Sequence, residues 1–173
     1  MSDRSVTMRG AVLDLTGPEL AVGDPAPEFT LIQRGPDGLR ELTLGDFEGK
    51  TLVLSVVPSL DSPVCERQTV RFNDEAISLP LEVEVLTVSM DLPFAQARFC
   101  NEKGTHQIQT ASDHMTGDFG RAYGVLIESL RLLCRAVVVI DNGGVISYVE
   151  YVPEVTDLPN YDAALAAARQ PMD

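Results

Sequence analysis

Apolar residues in this chain fall into short, β-branched runs separated by a few polar, glycine or proline positions. Thr51–Val57 (TLVLSVV) and Val83–Ser89 (VEVLTVS) are largely apolar on both alternations, as expected of strands buried on both faces. Between them, Ser62-Pro63 supplies an N-cap residue and a first-turn proline, predicting a helix from Pro63 to about Ile77. The three elements make a strand-helix-strand crossover. Upstream, Val6–Leu15 reads as two extended runs about a turn at Arg9-Gly10. Phe29–Ile32 and Leu39–Leu42 flank Gly35-Pro-Asp-Gly38 as a second hairpin. Downstream, Pro93 to about Cys100 reads as helix, Ile108–Ala111 as a short strand, and Thr116–Tyr123 as a helix ended by Gly124. Ala136–Ile140, the turn Asp141-Asn-Gly-Gly144 and Val145–Tyr151 form a strong hairpin signal, and Tyr161–Arg169 a last helix.

These elements sum to an α/β fold: a central mixed sheet with helices on both faces, one antiparallel hairpin near the end, and hairpins added at the N-terminus. A thioredoxin-like sheet fits that order, although no Cys-x-x-Cys is present. With 173 residues, 45% of them hydrophobic, and no repeat or low-complexity linker, a single domain spanning 1–173 is expected. The formal charge of −13 and pI near 4.4 repel phosphate backbones and anionic lipid, which argues against nucleic acid and membrane partners. Met1–Leu15 carries Asp3, Arg4, Arg9 and Asp14 and no apolar stretch like a signal peptide, so the cytoplasm is the expected location. Three cysteines are too few and too odd in number for a disulfide scaffold; in a reducing compartment a bridge among them is transient and redox-active.

The chemistry concentrates at Cys65. It stands third in the helix that follows a buried strand, where backbone N–H groups lack intrahelical acceptors and the helix dipole is positive. A thiolate there is stabilised relative to a free thiol, and ionisation makes sulfur nucleophilic. The competing reading is ordinary burial, since free cysteine is among the most buried residue types. The Ser62-Pro63 context and the strand before it favour the reactive one.

Pro58-x-x-x-Ser62-x-x-Cys65 resembles the Pro-x-x-x-(Thr/Ser)-x-x-Cys signature of the peroxiredoxins. Asp91-Leu-Pro-Phe-Ala-Gln-Ala-Arg-Phe-Cys100, Ala122-Tyr-Gly-Val125 and Arg135-Ala-Val-Val-Val-Ile-Asp141 are similar to the bacterial thiol peroxidase branch of that family, and the likeness covers nearly the whole chain. The resemblance implies that Cys65 attacks a hydroperoxide and becomes a sulfenic acid, and that Cys100 resolves it as an intrachain disulfide. Thioredoxin or a similar dithiol protein would then reduce the pair. It implies hydrogen peroxide and alkyl hydroperoxides as substrates, a homodimer, and no metal or organic cofactor.

Three further residues complete this expected site. The Ser62 hydroxyl can accept from a peroxide and donate toward sulfur or oxygen. Arg135 offers a permanent charge and fixed donors that can hold Cys65 ionised and stabilise charge on a departing oxygen. Pro58 has no N–H and a rigid ring, which shields a thiolate without competing for its hydrogen bonds. Each also has a plainer role: helix cap, surface ion pair and strand terminator, respectively.

Cys100 stands near the end of one helix and Cys65 near the start of another. A disulfide needs Cα atoms within roughly 7 Å, so local unwinding is expected on oxidation, helped by Gly104 as a weak point at the helix end. Cys134 departs from the family pattern. Next to Arg135 in an extended segment, it should face away from the site, into packing. The stretch between Val125 and Arg135 also lacks the glycine-rich look associated with the family. His106 and His114 lack a metal-ligand pattern and read as surface or loop residues, while Glu66 and Arg67 fit a solvated flank as well as a substrate rim. A redox-sensing interaction protein that uses Cys65 and Cys100 as a conformational switch is the alternative to an enzyme.

Overall fold

The computed structural model describes residues 3–170. Met1, Ser2 and residues 171–173, the extreme ends of the expected 1–173 domain, lie outside the described residues. The sheet is organised around β5 (Thr51–Val56), which is buried along its whole length. β5 pairs in parallel with β6 (Val83–Ser89) and antiparallel with β10 (Ala136–Ile140). Its largely apolar run follows from having both faces covered, with the buried Ser55 hydroxyl taken up by Gln68. Leu52, Leu54 and Val56 point into one cluster and Val53 into the opposite one, each fully buried side chain contributing roughly 1.5–3 kcal/mol.

β10 turns through Asp141–Gly144 into β11 (Ile146–Tyr151). On the other side, β6 is followed by β7 (Gln109–Ser112), β3 (Thr30–Gly35) and β4 (Gly38–Thr43). The seven-stranded order is β11-β10-β5-β6-β7-β3-β4. α1 (Pro63–Ala76) and α4 (Tyr161–Ala168) cover one face, where Phe72, Ala164 and Leu165 pack on Val53, Val137 and Val139. α3 (Asp118–Ala122) and a small hairpin of β8 (Leu126–Ile127) and β9 (Leu132–Leu133) cover the other, with Phe119 stacked on Tyr123 at 4.5 Å. α2 (Pro93–Lys103) packs against β7 and β3. This is the expected mixed α/β, thioredoxin-like architecture.

The two N-terminal hairpins have different fates. β1 (Ser5–Met8) and β2 (Ala11–Asp14) turn through Arg9 and Gly10, both at positive φ, and form a separate two-stranded sheet. β3–β4, by contrast, is the edge of the main sheet, joined where Ile32 faces Ser112. Local pattern predicts a hairpin but not the partner it docks on. α2 runs to Lys103, past the expected end near Cys100, and α3 begins only at Asp118 because Gly117 takes the left-handed conformation at φ 74°. β8–β9 was not anticipated; its turn places Arg131 at φ 55°, a region costly for a residue with a side chain. Among the described residues, no helix is long and apolar enough to cross a membrane.

Asp113 sets the start of α3: its carboxyl accepts from the N–H groups of Phe119 at 3.2 Å and Gly120 at 2.8 Å. Burial nevertheless outweighs these bonds and raises its pKa from 3.8 to about 6. The folded state therefore holds this proton more tightly than the unfolded chain. The group's stabilising contribution is full below about 3.8 and is lost as pH rises to about 6. Denaturant midpoints measured across that interval should lose this downward slope in Asp113→Asn; an unchanged slope would assign the effect to another group.

Candidate active site

β5 stops because of its next residues. The Val57 N–H still donates to the Val88 carbonyl at 3.0 Å, but Pro58 has no N–H to continue the ladder. The chain turns out of the sheet at the carboxyl end of β5, with Pro58 buried. Asp91, just past the end of β6, then fixes the turn. Its carboxylate accepts from the Ser59 hydroxyl at 2.8 Å, the Leu60 N–H at 2.8 Å and the Ser89 hydroxyl at 2.7 Å. Three donors on one carboxylate hold the loop that leads into α1.

Ser62 occupies the N-cap position with extended backbone (φ −136°, ψ 147°), and Pro63 is the first helical residue, as predicted. The expected side-chain cap is absent. The Ser62 hydroxyl instead donates to the Ser59 carbonyl at 3.0 Å, so the N–H groups of the first turn are not taken up by it. An N-terminus left open in this way keeps its donors and its positive dipole for an incoming electron-rich group.

Cys65, in that first turn, is fully buried. The guanidinium of Arg135, itself 1% exposed, donates to its sulfur through Nη2 at 3.4 Å. Arg135 lies in the connection between β9 and β10, across the sheet from β6, and two further bonds hold it. Nε donates to the Val155 carbonyl and Nη1 to the Gln68 side-chain oxygen, both at 2.9 Å. Among the described residues, no carboxylate lies within ion-pair distance of it. A buried, unpaired charge is strongly unfavourable. Among the described residues, the Cys65 sulfur is the ionisable side-chain atom to which it donates. The plainer role of Arg135, a surface ion pair, is excluded by its burial.

Gln68 was not singled out from the sequence. Its amide donates to the Ser55 hydroxyl of β5 at 2.9 Å while its oxygen receives Arg135, so it ties the guanidinium to the sheet. The available signal was helical spacing. Cys65, Gln68, Thr69, Phe72 and Asn73 form the buried stripe of α1, and three polar residues on an inward stripe need partners.

Cys100 packs against the cluster of Val57, Leu60, Cys65 and Phe99 and remains partly exposed, its sulfur 3.9 Å from the Thr110 hydroxyl. All three cysteines are free thiols. Gly104 stands at the end of α2. It closes α2 in the left-handed conformation at φ 68°, and its N–H and that of Thr105 both converge on the Cys100 carbonyl. Cys134 is fully buried in the cluster on the opposite face of the sheet, where burial pushes its thiol up to about 12. Packing away from the site was the expectation for it. His106 is exposed in a loop and His114 lies in a turn. Glu66 pairs with Lys103 at 3.0 Å, linking the helices that carry Cys65 and Cys100.

Residues 21–165 match the family model described as Redoxin. The chain is 51% identical over 165 residues to a thiol peroxidase of Halalkalibacterium halodurans, covering 95% of this chain and 97% of the relative. It is 47% identical over 164 residues to a thiol peroxidase of Bacillus subtilis, covering 95% and 96%. A crystal structure of a peroxiredoxin-like protein from Aquifex aeolicus superposes with a TM-score of 0.87 at 43% identity, over 95% of each chain. A thiol peroxidase from Chromobacterium violaceum shares the fold, with a TM-score of 0.83 at 23% identity over 96% of each chain.

If Gln68 steers the guanidinium, Gln68→Met should slow alkylation of Cys65 by iodoacetamide about tenfold or more, because hydrogen bonds to charged groups are worth about 1.5–3 kcal/mol. Peptide mapping of the alkylated protein reads this directly. An unchanged rate would mean that Val155 alone holds Arg135 in place.

Proposed function

Because the chain belongs to the thiol peroxidase branch of the peroxiredoxin family and is a peroxidase enzyme, we propose that Cys65 is its peroxidatic nucleophile and Cys100 its resolving thiol. The observation that carries this reading is the contact between the buried Arg135 guanidinium and the Cys65 sulfur at 3.4 Å. Held against that charge, the thiolate attacks the terminal oxygen of hydrogen peroxide or an alkyl hydroperoxide. The oxygen–oxygen bond breaks, sulfur becomes a sulfenic acid, and the departing oxygen leaves as water or alcohol after protonation. Arg135 also stabilises the charge that gathers on that oxygen. The Ser62 hydroxyl keeps its lone pairs while donating to Ser59, so it can accept from the peroxide. Pro58 walls the sulfur from water. The apolar neighbours Val57, Leu60 and Phe99 suit alkyl hydroperoxides as well as hydrogen peroxide.

In the second half-reaction the Cys100 sulfur attacks the sulfenic acid, a Cys65–Cys100 disulfide forms, and water leaves. The two sulfurs belong to different helices, so the last turn of α2 unwinds to bring them together. Exposed residues Asn101, Glu102, Lys103 and Gly104 make up that turn, so little apolar burial is lost. Thioredoxin or a similar dithiol protein returns the pair to thiols. The proposal includes a cytoplasmic homodimer, whose mass sedimentation would measure.

Cys65→Ser should abolish peroxide consumption. Cys100→Ser should complete one peroxide reduction and accumulate a sulfenic acid visible by mass spectrometry, while thioredoxin-supported turnover collapses. Normal recycling by that variant would move resolution to another thiol. Arg135→Met should slow the first step by about a hundredfold or more, the scale of removing one preorganised donor. Slow oxidation of the parent protein, coupled to a partner that binds in only one redox state, would instead support a sensor.

A further inference from the structure

The chain carries 26 acidic residues, yet among the described residues none lines a cleft of about 330 Å³ beside Cys100. Arg34, Arg40 and His106 line it, together with Asn101, Gln109 and Thr105. The larger cavity of about 580 Å³ has the opposite character, with Glu28, Glu41, Asp113 and Asp118 in its wall. The cationic side chains are positioned, not loose. Arg40 Nε donates to the Gln33 side-chain oxygen at 2.8 Å, and the Gln33 amide donates to Gln109 at 3.0 Å and to the Thr110 carbonyl at 3.1 Å. The Arg34 guanidinium lies over the Phe94 ring, 5.2 Å from its centre. Among the described residues, neither arginine is in an ion pair. Thr105 is 1% exposed, and its hydroxyl has no hydrogen-bond partner among the described residues. A buried hydroxyl without a partner on the wall of an acid-free cleft is an unfilled polar position.

We propose that this cleft binds an anionic low-molecular-weight thiol that reduces the oxidised enzyme at Cys100, as an electron donor additional to a dithiol protein. The inference rests on the Cys65–Cys100 disulfide proposed above. Cleft size falls at the small end of ligand pockets, and a sulfur atom of the protein in its wall selects a thiol among anions. Arginine forks match carboxylates. The wall that carries Arg34 and Arg40 belongs to the β3–β4 hairpin, so it stays in place when α2 unwinds.

The chemistry balances with two thiols. The thiolate of the bound thiol attacks the Cys100 sulfur, a mixed disulfide forms, and the bond to Cys65 breaks with its electron pair left on the Cys65 sulfur beside Arg135. That sulfur is a favourable leaving group for the same reason that it is a favourable nucleophile. A second thiolate then attacks the ligand sulfur of the mixed disulfide, releasing the oxidised ligand dimer and the Cys100 thiolate, which takes a proton from solvent.

The test begins with the full chain oxidised by one equivalent of hydrogen peroxide, and the nonreduced peptide mass establishes the disulfide before any thiol is added. If that disulfide is absent, the catalytic reading fails and this inference falls with it. With the disulfide present, reduction by mercaptosuccinate is compared with reduction by neutral 2-mercaptoethanol, each rate normalised to the same thiol acting on a small soluble disulfide. The expected preference for mercaptosuccinate is about tenfold or more, the scale of electrostatic steering, and it disappears at high salt. In Arg34→Ser/Arg40→Ser the preference falls to about one, while 2-mercaptoethanol reduces both proteins equally, which shows that the variant's disulfide is still reachable. In the reduced protein, succinate should protect Cys100 from iodoacetamide in the parent and not in the double variant. Equal normalised rates, a preference undiminished in the double variant, or absence of protection by succinate would overturn the site.

Discussion

A guanidinium buried without a carboxylate is the constraint on which this site turns. Arg135 reaches the interior because it leaves the chain one residue before β10, with Val155, Gln68 and Cys65 around it. Neutral acceptors satisfy two of its edges but cannot offset its charge. Cys65 is the ionisable neighbour, and under the function proposed above the contact that accommodates Arg135 in the interior is the one that activates the sulfur. Stability and reactivity are therefore coupled at one contact, and the dense bonding around the loop from Pro58 to Ser62 serves both. Asp91 holds that loop, Ser55 and Gln68 hold Arg135, and each arises from a different strand or helix turn near the carboxyl ends of the interior strands β5 and β6.

The disulfide proposed between Cys65 and Cys100 would ask the same region to come apart, and α2 is divided in a way that suits it. In its first half, Gln96 is buried and its amide donates to the Ser89 hydroxyl at 3.0 Å and the Ala111 carbonyl at 2.8 Å. Through Ser89 and Asp91 that half is continuous with the Cys65 loop. Its last turn is exposed and is closed chiefly by two N–H groups on the Cys100 carbonyl. The Lys103–Glu66 pair adds a tie across the two helices, but with both side chains about 40% exposed it is worth at most about 1 kcal/mol. Such a helix can lose its final turn without losing its anchor. The glycine at its end, at φ 68°, gives the helix a clean stop.

Strong local signals carried most of the fold. The runs Thr51–Val57, Val83–Ser89 and Ala136–Ile140 read as strands because a strand buried on both faces is largely apolar, and Ser62-Pro63 marked the start of α1 to the residue. The docking of β3–β4 on β7 was not legible, because register between distant segments depends on faces that local pattern does not compare. The short β8–β9 pair escaped for a related reason: two residues per strand are too few for any period, and its turn relies on Arg131 where a glycine would announce it. At the site, Cys65, Ser62 and Pro58 stand together in the chain and could be read together. Arg135 needed the family resemblance, since 70 residues separate it from Cys65. Gln68 was within reach of helical spacing alone, but an amide on an inward stripe declares a partner only once the partner is known.

The three cysteines show that burial does not fix a thiol's surroundings. Cys65 and Cys134 are both fully buried, and accessibility alone would call both inert. Around Cys134 the cost of removing an anion from water dominates, and the thiol is pushed up to about 12; Arg135 is its sequence neighbour but acts on it more weakly than burial does. Around Cys65 the guanidinium approaches the sulfur itself, at 3.4 Å, beside a helix start that its N-cap side chain does not close. Cys100, partly exposed beside a threonine hydroxyl and a cleft with no carboxylate among the described residues, has a polar open side as well as the packed side that meets the Cys65 cluster. One chain thus gives the same functional group three environments, and the difference lies in which charge each sulfur meets and at what distance.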